Sequence, residues 1–114
     1  MKQKDKLSLI DNYVSVYRLL YNCQGFTCLY TEDNLTPQLS HLTHQALELK
    51  HHYEIAFEQL GLIDETFLGL QQELNDCISN PTKLTTYSIQ DLADNLNILQ
   101  SNFNKLKSKF TLII

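Results

Sequence analysis

Glycine and proline are scarce in this chain, three and two residues among 114. Turn-rich β architecture needs both at its corners, so their scarcity excludes it, and an apolar content of 43% excludes disorder. Packed helices in one domain remain, because 114 residues hold one core and not two. The three cysteines, odd in number and irregular in spacing, make no disulfide framework. Reduced thiols in the cytoplasm are the expectation. No stretch reaches the roughly 18 apolar residues of a membrane span. The opening MKQKDKLSLIDNYV sets lysines before an apolar run, but Asp11 and Asn12 cut it short of a signal peptide's hydrophobic segment.

Basic side chains are also few. Net charge is −4, and residues 31–100 hold eleven acidic against two basic side chains, a local charge of −9 that leaves the two ends at +5. A nucleic-acid binder needs a continuous basic surface, so that class is excluded, and a basic protein partner fits the acidic middle better. No Gly-x-Ser-x-Gly turn, glycine-rich phosphate loop, His-Glu-x-x-His or Cys-x-x-Cys sequence occurs. The reading is therefore non-enzymatic, with no cofactor.

What is present in strength is a spacing. Leu35, Leu39, Leu42, Ala46, Leu49, Tyr53, Ala56, Leu60, Ile63, Phe67, Leu70, Leu74 and Cys77 alternate steps of four and three, a coiled-coil-like seam. Thr36 and Pro37 mark its start and Ser79-Asn80-Pro81 its stop, which predicts one helix over about 37–79. Gly61 and Gly69 oppose continuity, and the alternative is a helix broken at Gly61 with Asp64 capping a new one. Because the phase runs through both glycines, the continuous helix is favoured.

A second seam, Ile89, Leu92, Leu96, Leu99, Phe103, Leu106, Phe110 and Ile113, follows a Ser88/Asp91 capping signal and predicts a helix over about 88–110. The first helix, about 5–22, carries two adjacent seams: Leu7, Ile10, Val14, Tyr17 and Tyr21, and Leu9, Tyr13, Val16 and Leu20. It should be buried on a wide arc. Gly25 is read as a turn residue, with Phe26, Leu29 and Tyr30 in a packed loop, and residues 80–87 as the other connection. The predicted architecture is all-α: a long central helix with two shorter antiparallel helices, or, as the alternative, a four-helix bundle broken at Gly61.

The candidate chemistry sits in HLTHQALELKHH, residues 41–52. On the helical frame His41, His44, Glu48 and His51 share the face turned away from the seam, and His52 flanks it. Imidazoles and a carboxylate three or four residues apart are the ligands a surface zinc site would use, so a metal-binding protein or metal-dependent enzyme is the alternative function. The single outward Glu48/His51 copy does not match a bundle di-iron site, which needs two inward copies on several helices. Cys23, Cys28 and Cys77 are read as structural thiols, Cys77 at a shielded seam position.

Leu47, Ile55 and Leu62 are apolar residues outside the seam, in need of a cover from helix one or from another molecule. With Glu54 and Glu58 they form the candidate partner-binding set. The function expected is a small protein-binding module, an adaptor, chaperone or inhibitor, acting through helical faces and pairing as a homodimer. The C-terminal KLKSKFTLII reads as a helix end with complementary lysines, which points away from membrane contact.

Overall fold

The computed structural model describes residues 2–29, 36–79 and 87–114. It is all-helical among them: α1 (Gln3–Leu29), α2 (Thr36–Gln59), α3 (Glu65–Ser79) and α4 (Ile89–Lys109). The predicted helix over 37–79 is two helices, so the four-helix alternative holds. Gly61 adopts a φ of +68°, the left-handed conformation that ends helices. Around it the Leu62 N–H donates to the Phe57 carbonyl at 2.9 Å and the Gly61 N–H to the Glu58 carbonyl at 3.1 Å, closing the end of α2. Three residues on, Asp64 Oδ1 accepts from the Phe67 N–H at 2.8 Å and starts α3. The unbroken phase misled because both helices turn their stripe toward the same neighbour, α1. Periodicity then continues across the turn with no helix to carry it.

Side-chain pairs fix the directions. Tyr13 meets Phe57 and Tyr17 meets Lys50, so α1 and α2 are antiparallel. Tyr13 bonds Gln71 and Tyr17 bonds Asn75, so α3 runs parallel to α1. Asn12 bonds Asn102 and Asp5 pairs with Lys109, so α4 is antiparallel to α1. The chain runs up, down, up, down. α1 packs against all three other helices, α2 also packs against α4, and α3 lies along α1 alone, reaching α2 by side chains. The central helix is thus α1, where the sequence placed the 37–79 segment. The burial of α1 is wide, taking in Leu9, Tyr13, Val16, Tyr17, Leu19, Leu20 and Cys23, but it centres on the second seam: of the first, Tyr17 alone is buried and Leu7 is 50% exposed.

α1 also runs seven residues past its expected end at 22, with Gly25 buried inside the helix instead of at a turn. Packing offsets the roughly 1 kcal/mol that glycine costs there. The loop expected from Phe26 onward falls on helix to Leu29, while those two side chains, Tyr30, Leu35 and the connection over 80–86 lie outside the described residues.

α4 starts as the sequence indicates: Ser88 Oγ accepts from the Asp91 N–H at 3.1 Å and Asp91 Oδ2 accepts from the Ser88 N–H at 3.0 Å. Leu92, Leu96, Leu99 and Phe103 are buried, and the seam then fades toward an exposed Ile113. Its C-terminus repeats the closure of α2, with the Leu112 N–H on the Lys107 carbonyl at 3.0 Å and Leu112 buried. Here the left-handed residue is Thr111, at a φ of 53°.

The two left-handed positions give opposite expectations. A β-branched residue in this conformation costs about 1–2 kcal/mol that glycine avoids. In urea denaturation Thr111→Gly should therefore raise stability by about 1 kcal/mol, and Gly61→Ala should lower it by about the same amount.

Candidate functional site

The histidine stripe stays on the outside of the fold. His41, His44, Glu48 and His51 are exposed on α2, and among the described residues no group of three or more His, Cys, Asp or Glu side chains comes together to hold a metal ion. His52, half-buried, stacks on Phe103 of α4 with ring centroids 5.9 Å apart. Glu48 and His52 line an open polar groove of about 340 Å³ between α2 and α4, together with Gln45, Gln100, Asn104 and Lys107.

The cysteines divide. Cys23 is buried and its thiol is pushed up by that burial, against a lowering hydrogen bond with Thr43, which suits an inert structural role. Cys77 is exposed, contrary to the shielded position that the heptad assigned to it, because α3 lies against one helix and not inside a coiled coil. The side chain of Cys28 lies outside the described residues.

The candidate partner set is scattered. Leu47 is 45% exposed and Glu58 is exposed, Ile55 is half-buried, and Leu62 packs on the core beside the turn that ends α2. Glu54 is drawn inside. It accepts from the Tyr13 hydroxyl at 2.8 Å and from the Gln71 amide, and lies 3.5 Å from Lys50. The Tyr13 and Tyr17 hydroxyls are 3.2 Å apart, and Tyr17 donates to Asn75 Oδ1 at 3.0 Å. This network ties α1, α2 and α3 at one level. Burial, then Tyr17 and Glu54, push the Tyr13 phenol above its ordinary range, so it stays a neutral donor to the carboxylate.

The network was missed in the sequence, although a signal exists. Tyr13 and Tyr17 are four apart on one helix, Gln71 and Asn75 four apart on another, and each pair shares a face. Leu19 and Phe57, both buried, were also missed because they fall off the seams.

The least covered element is α3. Of its apolar residues Phe67 alone is buried, Leu70, Leu74 and Ile78 are half-buried, and Leu68 is 53% exposed. Residues 51–79 contain Glu54, Glu58, Asp64, Glu65, Glu73 and Asp76 and no Lys or Arg.

No family model, curated protein or solved structure matches the chain. The hydroxyls of the fully buried Tyr13 and Tyr53 should separate by mutation. Tyr53 is fully buried, with no hydrogen-bond partner for its hydroxyl among the described residues, so Tyr53→Phe should stabilise by about 1 kcal/mol. Tyr13→Phe removes a donor from a carboxylate and should destabilise by about 2 kcal/mol. Burial raises both phenols from the ordinary value of 10.0. A raised folded-state value means full stability below pH 10 and progressive loss above it, as tyrosines ionise in the unfolded chain first. Melting followed against pH should show this fall, and it should be smaller in Tyr53→Phe.

Proposed function

We propose that the protein is a non-enzymatic helical binding module, of the adaptor, chaperone or inhibitor kind, and that α3 is the element a partner protein engages. The observation that carries this is the shallow seating of α3: Phe67 alone is buried, Leu70, Leu74 and Ile78 are half-buried and Leu68 is 53% exposed, so part of its apolar surface remains for another contact. Covering a side chain such as Leu68 gains about 1.5–3 kcal/mol when burial is complete. The acidic run without Lys or Arg over 51–79 selects the partner's chemistry. A basic amphipathic segment gains steering from Glu73 and Asp76 and apolar contact beside them, whereas an acidic one is repelled.

The test is a photo-crosslinker placed at Leu68 in the producing cell, with the same group at exposed Ser101 of α4 as control. A discrete protein adduct from Leu68, absent from Ser101 and lost in the Glu73→Lys/Asp76→Lys variant while helical circular dichroism is unchanged, is the expected result. Equal labelling from both positions, or an adduct indifferent to charge reversal, removes α3 as the binding element.

A further inference from the structure

The groove between α1 and α4 has a chemistry opposite to that of α3. It is open, about 510 Å³, and lined by Ser15, Arg18, Leu19, Tyr21, Asn22, Tyr87, Asn95, Ile98 and Leu99. In a chain with thirteen acidic side chains none of these is acidic, and Arg18 is the single arginine of the sequence. Its guanidinium has no carboxylate partner among the described residues. Apolar surface stands beside it: Ile98 is 57% exposed and Tyr87 47% exposed.

We infer that this groove binds an acidic peptide segment, with a carboxylate side chain on Arg18 and a neighbouring apolar side chain against Ile98 and Tyr87. A planar guanidinium offers two parallel donors to a carboxylate, and that fork carries direction as well as charge. Size supports a short extended peptide, since the groove falls within the roughly 300–1,000 Å³ of ordinary ligand sites. Polyanions are disfavoured: Arg18 pairs with one phosphate, and the net charge of −4 on the molecule repels the rest. The site is independent of the proposed role of α3, because the groove is lined only by α1, Tyr87 and α4.

The experiment is an amide NMR titration of the full chain with a hexapeptide centred on Leu-Glu-Phe, with its glutamine counterpart, and with inorganic phosphate. Saturable shifts at Leu19, Asn22, Asn95 and Ile98 are expected, weakened about tenfold by glutamine in the peptide and by Arg18→Gln in the protein. Absence of saturable shifts at these amides overturns the site, as does equal binding of the glutamine peptide or of the Arg18→Gln protein. Phosphate shifting the same amides as strongly as the peptide reduces the groove to a simple anion site. Concentration-dependent shifts of those amides without peptide give it to a second copy of the chain. Either result overturns the peptide assignment.

Discussion

A tyrosine at the centre of a three-helix junction must satisfy its hydroxyl, and the arrangement of the fold follows from how Tyr13 does so. Its ring sits between Tyr17 at 5.1 Å, Phe57 at 5.3 Å and Phe67 at 5.6 Å, so it is fixed by apolar contact with three helices. Its hydroxyl donates to Glu54 on α2 at 2.8 Å. Gln71 of α3 bonds both atoms of that pair, so register among α1, α2 and α3 is set at this level. A one-turn slip of α3 would leave the buried Tyr13 hydroxyl and the half-buried Glu54 carboxylate with one donor fewer, a penalty of about 1 kcal/mol or more. Polar satisfaction sets register here where a shallow apolar contact could not.

That division of labour explains the position of α3. The packed core of the molecule is α1, α2 and α4, whose buried side chains account for the core except Phe67 of α3 and Leu112 after α4. α3 adds register-defining hydrogen bonds and one buried ring. An element held this way belongs to the low end of the local stability range, where binding elements are drawn from. The same geometry leaves Cys77 and Leu68 in solvent, and the binding role proposed for α3 rests on it.

Much of this was legible from residues. The α4 start was written in Ser88 and Asp91, and the arc of α1 in its two adjacent seams. The turn at Gly61 was written too, in Gly61 followed by Asp64, but the seam argued against it with equal clarity. Sequence spacing reports which residues face something apolar, not whether the thing they face is one helix or two. The partner set was less legible for a related reason. Leu47, Ile55, Leu62 and Glu54 look alike as off-seam residues, and only the tertiary arrangement distinguishes Leu62, which closes a turn, and Glu54, which accepts a buried phenol, from Leu47, which remains in water.

Charge completes the reasoning. The lysine-rich start of α1 and end of α4 meet at one pole, where Lys109 reaches Asp5 at 2.6 Å and holds that carboxyl below its usual range. Near the end of α2 the main chain of Ile113 pairs with the Gln59 side chain, which brings the tail after α4 to the same pole. Gathering lysines in this way is repulsive unless acids join them. The α2–α3 turn and its flanks supply these, since Asp64 shares a small cavity with Lys6, while Glu58 stands in the last turn of α2 and Glu65 begins α3. α3 then runs away from this pole parallel to α1. At 1.5 Å per residue, Asp76 lies roughly 18 Å beyond Asp64, more than two screening lengths of about 8 Å at physiological salt. The lysines of the pole are largely screened from Asp76 across that distance. The negative charge at the end of α3 is thus left without the lysines of this pole, beside an apolar face that the core covers only in part.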